Sequence, residues 1–312
     1  MSISKKGFVP VMLTPFKNDG NIDYHGLTLL TNFYLESGVS GLFANCLSSE
    51  MYNLSEAESL SIIKHVIDVS AGKVPVVATG TFGGNIPKQA ETVKKVYDLG
   101  VDAVIGIASL LASDKEEEVT FLNNCLELLE LTEKIPLGFY ECPLPYKRVI
   151  SPKHLGELVK TGRVVYHKDT CLDIKQIKEK LKVTSGHNFG LYDAYMAHAV
   201  ESLEAGSAGL SCIQGNYFPE LVVWLSTNFN NPSKREQIDL AQQFFIDNMV
   251  VMHNFYPMTA KYYLKKRGLN ISTITRFPNS KGFTNQVMSS MNQLALNYEQ
   301  LRNALEIKSV IC

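Results

Sequence analysis

The stretch "RVVYHKDTCLDIKQI", residues 163–177, decides how the chain is read. Val164, Val165 and Tyr166 open an apolar, β-branched run suited to a buried strand, yet the run ends on Lys168. An ammonium group is costly to bury and is normally found in solvent or paired. Two readings follow. Either Asp169 pairs with Lys168 as an ordinary strand-end ion pair, or the fold holds an amine whose charge is suppressed, and such an amine is a nucleophile. Period-two alternation places Val164, Tyr166 and Lys168 on one side of the strand and Val165, His167 and Asp169 on the other.

Similar short apolar runs recur on both sides of this one. They are "FVPVML" at 8–13, "GLFAN" at 41–45, "VPVVATG" at 74–80, "AVIGIA" at 103–108 and "PLGFYE" at 136–141, then "KVTSG" at 182–186 and "AGLSCI" at 208–213. With 164–169 they make eight predicted strands. Amphipathic segments separate them, with apolar residues three and four apart, as in Leu27, Leu30, Phe33 and Tyr34. Helix starts are marked by Ser55 before a Glu-rich turn and by Pro152 after Ser151, and glycines follow several helix ends.

Strands apolar on both faces, each followed by a helix, predict an α/β protein of the closed (β/α)8 TIM-barrel type, because no strand is polar enough for a sheet edge. The eighth predicted strand ends near residue 213. Helix-like patterns at 218–229, 233–253, 257–267 and 282–307 predict a last barrel helix and a C-terminal helical extension packed on the barrel. The expected division is therefore barrel over 1–230 and extension over 231–312.

Composition narrows the function. The 312 residues carry 30 Lys and Arg against 31 Asp and Glu, a net charge of −1, which gives no electrostatic footprint for nucleic acid or an anionic membrane. No apolar run reaches the 18 or so residues of a membrane span, and the N-terminal "MSISKKGFVPVMLTPF" is interrupted by Pro10 and Pro15. A cytoplasmic protein is expected. Six cysteines without a CxxC pair read as free thiols, and seven histidines without metal-ligand spacing argue for no metal.

In a barrel of this type the C-terminal strand ends carry the active site. Lys168 then ends strand six at the bottom of a funnel, and Tyr140 stands at the matching end of strand five, one strand spacing of about 4.8 Å away. An amine and a phenol side by side suggest Schiff-base chemistry. His187, in "SGHNFG" after predicted strand seven, joins the active face on this reading, with Asn188 beside it. Ser211 at the end of strand eight completes the candidate substrate-binding set. Cys46, Cys142 and Cys171, each just past a strand end, read as small apolar lining.

With "TPF" at 14–16, "DGNIDYHGLTLLTNFYLESGVSGLFAN" at 19–45, "YECPLPYKR" at 140–148, "HKDT" at 167–170 and "SG" at 185–186, the chain resembles the pyruvate-dependent class I aldolases that include dihydrodipicolinate synthase and N-acetylneuraminate lyase. The resemblance implies that Lys168 forms the imine with a 2-oxo acid, that Tyr140 shuttles protons, and that Thr170 lies beside the imine. It implies no organic cofactor and a homotetramer built as a dimer of dimers. It also exposes departures. Where the family carries a G-[ST]-T-G-E loop for the oxo-acid carboxylate, this chain has Cys46, Leu47, Ser48, Ser49 and Glu50, which keeps Ser48 and Ser49 as binding candidates and loses a hydroxyl at Leu47.

Leu110 and Leu111 stand where the family's relay tyrosines stand, and Pro145 where the synthase has an arginine, with Lys147 or Arg148 near enough to substitute. The lyase's acidic pair is matched by Asn188 and Phe189. The expectation is a Schiff-base lyase or aldolase joining or cleaving pyruvate, or a related 2-oxo acid, and an aldehyde. Its alternatives are 4-hydroxy-tetrahydrodipicolinate synthase itself and a non-catalytic barrel that binds a 2-oxo acid. His187, Asn188, Phe189 and the leucines 47, 110 and 111 together predict an acceptor pocket for a weakly polar aldehyde.

Overall fold

A computed structural model describes residues 7–277, 283–308 and 310. Residues 1–6 of the expected barrel segment, residue 282 of the expected last helix and Cys312 lie outside the described residues. Eight parallel strands form one sheet: β1 (Gly7–Phe8), β2 (Leu42–Phe43), β3 (Val76–Thr79), β4 (Ala103–Ile107), β5 (Leu137–Tyr140), β6 (Val164–Asp169), β7 (Gly190–Asp193) and β8 (Gly209–Leu210). They neighbour one another in the order β1-β8-β7-β6-β5-β4-β3-β2. A parallel bridge between Val11 and Phe43 joins the first and last members and closes the barrel. At the β1–β8 seam the backbones come so close that a Cβ on Gly209 would lie 1.7 Å from the Gly7 carbonyl oxygen, so only glycine fits.

Helices α1 (Tyr24–Glu36), α2 (Glu56–Ser70), α3 (Ile86–Tyr97), α4 (Glu118–Leu131), α5 (Pro152–Val159), α6 (Ile174–Thr184), α7 (Ala199–Glu204) and α8 (Pro219–Asn228) alternate with the strands. The local signals act as expected. Ser55 and Glu58 form a reciprocal capping box on α2, and Ser151 caps α5 with Pro152 in its first turn. The apolar residues sort into two layers. Val11, Phe43, Val77, Ile105, Tyr166 and Tyr192 fill the barrel interior, while the larger cluster, including Leu30, Ile63, Val93, Leu128 and Leu155, lies between strands and helices.

Strand seven is where the sequence reading fails. "KVTSG" is not a strand: α6 runs through Thr184, with Ile177, Lys180 and Thr184 on its buried face and Val183 40% exposed. The β-branched pair Val183–Thr184 mimics a strand, but its burial follows the helical period. The actual strand, "GLYD" at Gly190–Asp193, contains glycine and aspartate and has little intrinsic strand preference. Pairing with β6 and β8 on both sides makes it a strand all the same.

After α8 come α9 (Arg235–Asp247), α10 (Met249–His253), α11 (Met258–Lys266) and α12 (Asn285–Ala304). Two ion pairs, one fully buried and one partly buried, tie them to the barrel. Lys261 on α11 reaches Glu50, in the loop after β2, at 2.7 Å with both side chains fully buried. The same carboxylate accepts from the Thr275 hydroxyl and from the amides of Arg276 and Phe277. Arg267 meets Glu220 of α8 at 2.6 Å, and Tyr298 of α12 donates to that glutamate as well. Burial lowers the pKa of Lys261 and the Glu50 charge opposes the shift, so either partner left alone becomes an uncompensated buried charge. Glu50→Ala is expected to cost about 3–5 kcal/mol of stability. The double replacement Glu50→Gln/Lys261→Met should cost less, and denaturant unfolding midpoints of the two variants check the order.

Candidate active site

Tyr140 and Lys168 are paired residues in the β5–β6 ladder, each at the C-terminal end of its strand, and Lys168 is paired in turn with Tyr192 of β7. Alternation turns both side chains into the barrel. The Lys168 Nζ lies 4.1 Å from the centre of the Tyr140 ring and 5.9 Å from that of Phe43, and the amine is 4% exposed. Burial lowers the Lys168 pKa, with only the nearby thiols of Cys46, Cys142 and Cys212 acting the other way. Burial pushes the Tyr140 phenol well up, and the neighbouring Cys142 and Cys46 add to this. Burial raises the Cys142 thiol pKa, and the nearby Lys168 acts the other way.

Asp169 does not pair with Lys168. Facing outward, it joins Glu141, His167 and Lys180 in a cluster with no exposed side chain. The Lys180 ammonium bridges Glu141 and Asp169 at 2.6 Å each. Glu141 also accepts from the amides of Ile150 and Thr170, and Asp169 from the amide of Cys171. Burial alone would raise Asp169, but hydrogen bonding to His167 and the Lys180 charge hold it far below the usual carboxylate range. Among the described residues, Glu141, His167 and Asp169 are the grouping whose ligand atoms come near enough for a metal ion, and the Lys180 ammonium already stands between its carboxylates.

Above the amine opens a cavity of about 530 Å³. Ser48, Thr170 and Ser211 line it with Lys168 and Tyr140, so the structure brings five of the candidate residues together. Ser49 is not among them. Its hydroxyl donates to the Met12 carbonyl at 2.7 Å and accepts from the Cys46 amide, holding the loop rather than facing the cavity. His187 and Asn188 are corrected outright: they are exposed residues between α6 and the start of β7, at the end of the barrel opposite Lys168, because the strand they were placed after begins only at Gly190. Phe189 moves with them. The residues that actually follow β7 into the cavity are Ala194 and Tyr195.

The leucines divide. Leu47 lines the cavity, whereas Leu111 is buried in the shell between strands and helices, and Leu110 and Leu111 border a separate depression beside Gly83 and Gly84. Arg148 turns away to Glu118 and the Ser113 carbonyl, which leaves Lys147 as the cation at the cavity rim. Sequence reasoning missed the contribution of the extension: His253, Tyr256, Pro257 and Phe277 all reach the cavity. The one local signal for them is the break in helical pattern at "NFYP", residues 254–257.

Fold and cavity together define a (β/α)8 barrel with a buried amine at the floor of a cavity on its C-terminal face. The chain belongs to the Dihydrodipicolinate synthetase family, whose model matches residues 4–294. It is 23% identical over 219 residues to the 4-hydroxy-tetrahydrodipicolinate synthase of Shewanella denitrificans, covering 69% of this chain and 72% of that one. In structure it is similar to a monomeric dihydrodipicolinate synthase variant, with a TM-score of 0.86 at 19% identity over 96% of this chain and 98% of the other. It is also similar to the chloride-inhibited synthase of Acinetobacter baumannii complexed with pyruvate, with a TM-score of 0.83 at 21% identity over 94% and 99%. Among the described residues no helix is long and apolar enough to cross a membrane.

A lysine whose pKa is lowered by burial works against folding wherever the unfolded chain would hold the proton. That penalty is greatest at low pH and fades as the pH approaches the ordinary lysine value of about 10.4. Lys168→Met is therefore expected to raise stability by about 1 kcal/mol or more near pH 7. The gain should shrink as the pH rises, a trend measured by urea unfolding at several pH values.

Proposed function

We propose that the protein is a Schiff-base lyase or aldolase that joins or cleaves pyruvate, or a related 2-oxo acid, and an aldehyde. The observation that carries this reading is the buried Lys168 amine set against the Tyr140 ring at the floor of the cavity. The neutral amine attacks the 2-oxo carbon to give a carbinolamine. Tyr140 delivers the proton that lets hydroxide leave as water, and the resulting iminium withdraws electrons from the neighbouring carbon. Cleavage of the adjacent carbon–carbon bond releases the aldehyde and leaves an enamine, and addition of the enamine to an aldehyde is the reverse. Forming the iminium beside Tyr140 favours its phenolate, which offsets the upward push of burial on this phenol.

In this proposal Ser48 and Ser211 hold the oxo-acid carboxylate and Thr170 stands beside the imine, its hydroxyl anchored on the Glu141 carbonyl at 2.6 Å. The acceptor side is lined by Leu47, Leu144, Leu172, Ile213 and Phe277 with Lys147 at the rim. Such walls suit an aldehyde with an apolar portion better than a polyhydroxylated one, since each unpaired hydroxyl costs about 1–3 kcal/mol. The rest of the reading comprises a barrel over 1–230 with an extension over 231–312, a homotetramer built as a dimer of dimers, and a cytoplasmic location. The location agrees with the free cysteines among the described residues.

A second reading, the synthase reaction itself, is favoured by the name its curated relatives carry. Leu47 in place of a relay hydroxyl and the diversion of Arg148 to Glu118 weigh against efficient use of aspartate semialdehyde. Borohydride reduction in the presence of pyruvate should add one pyruvate-derived mass to the peptide bearing Lys168, and Lys168→Ala should abolish it. Labelling of another lysine, or of none, would sink the assignment. A panel of aldehydes should separate the two readings. Condensation with aspartate semialdehyde is expected to run about 10²-fold or more below that with the preferred acceptor, and equal or better use of the semialdehyde would favour the synthase.

A further inference from the structure

We infer that Leu172 is a specificity-determining residue for the aldehyde, and that it selects an acceptor carrying an aliphatic or aromatic body beyond its carbonyl. This rests on the proposed function, because it assigns the acceptor half of that site. The observation behind it is a leucine held where the backbone disfavours one.

Leu172 lies in the short connection between β6 and α6, with φ at +65°. In that left-handed region the Cβ of an ordinary residue crowds the following carbonyl oxygen, and glycine is the favoured occupant. Among the described residues Ala71, Glu133, Phe255 and Glu306 share a positive φ, but each stands at or just past a helix end, where such a residue closes off the last carbonyls. Glu50, also at positive φ, ends the turn after β2 and is fully buried against Lys261. Leu172 precedes a helix and closes none. Its neighbours fix its backbone instead. Thr170 is bonded to Glu141 through both its amide and its hydroxyl, the Cys171 amide donates to Asp169, and the Asp173 side chain accepts from the Lys175 amide at the start of α6.

Packing within the fold does not offset the strain. The Leu172 side chain is 52% exposed and belongs to neither apolar layer of the barrel. It lines the cavity above Lys168, as does Leu144 from the loop after β5, itself 39% exposed. Since β5 and β6 are adjacent, two exposed leucines come to the cavity from neighbouring strand ends. An apolar side chain that the fold leaves in water, on a backbone glycine would adopt more easily, gains contact only from what enters the cavity. The new bond forms at the floor, on the pyruvate held by Lys168, so an acceptor that reaches these leucines needs a body extending beyond its carbonyl.

Condensation of pyruvate with acetaldehyde and with hexanal is measured in the wild type, Leu172→Gly and Leu172→Met. Borohydride labelling of Lys168 by pyruvate, urea unfolding and light scattering are recorded for each. In the reaction the pyruvate methyl carbon loses a proton and bonds to the aldehyde carbon, whose oxygen gains one, so no further reactant is required. The wild type should prefer hexanal. Leu172→Gly should lose about tenfold in kcat/KM for hexanal, the order expected when roughly half a leucine side chain of contact is withdrawn. It should keep its acetaldehyde efficiency and its labelling, and its unfolding midpoint should be no lower than that of the wild type, because glycine relieves the strained φ. Leu172→Met, still apolar and of similar volume, should retain the preference for hexanal.

An unchanged hexanal-to-acetaldehyde ratio in Leu172→Gly, a wild-type preference for acetaldehyde, or condensation with neither aldehyde would each overturn the role given to Leu172. If Lys168 is still labelled in those cases, the Schiff-base reading stands without it. A lower unfolding midpoint in Leu172→Gly would assign the leucine to the fold, and a change in assembly size would assign it to a contact between copies; either overturns the inference. Selectivity that depends on Leu172 in a wild type whose Lys168 is not labelled would support the inference while removing the Schiff-base reading.

Discussion

The Lys180 ammonium, held between Glu141 and Asp169 at 2.6 Å from each, is the contact on which the site depends. Glu141 directly follows Tyr140, and Asp169 directly follows Lys168, so the two carboxylates face the helices while their neighbours face the barrel axis. Pinning the outward residues fixes the register of the inward ones, because a slip of one residue in a strand exchanges its faces. The cluster is costly to desolvate, and its attraction is repaid only because the remaining lone pairs are met by the amides of Ile150, Thr170 and Cys171. What it supplies is geometry more than net stability.

A second buried pair, Lys261 with Glu50, does for the cavity roof what the first does for its floor. Glu50 ends the loop that carries Ser48 and gathers the 275–277 segment through one carboxylate oxygen. Thr14 and Ser49 hold the same loop from below, through the Ser49 carbonyl and the Met12 carbonyl respectively. The helices beyond the barrel are thereby part of the site, and Tyr256 and Phe277 reach the cavity because this anchoring sets where they enter. A cavity wall made partly by the extension can change without disturbing the amine and phenol beneath it.

The amine itself is where stability and the proposed function conflict. Lys168 has aromatic rings and thiols around it and, among the described residues, no carboxylate partner in contact, although Asp169 is the next residue along the chain. An acid facing the amine would hold its proton and remove the nucleophile. Sending Asp169 to Lys180 satisfies the acid and leaves the amine to its apolar surroundings. One strand thus carries two lysine-related environments on its two faces.

Much of this was legible in the sequence. Seven correctly placed apolar runs with helices between them, and an out-of-place lysine one strand from a tyrosine, point to the barrel, its C-terminal face and the amine–phenol pair, because the period of a segment is a local property of the chain. Strand seven was not legible, since "GLYD" becomes a strand only by being buried between β6 and β8, while "KVTSG" has strand-like residues on a helical face. That single error carried His187 and Asn188 to the wrong end of the barrel. The partners of buried charges were equally out of reach: Lys180 is 39 residues from Glu141 and Lys261 is 211 from Glu50. Sequence spacing says which way a side chain leaves its strand or helix, and only the packed structure decides what it meets there.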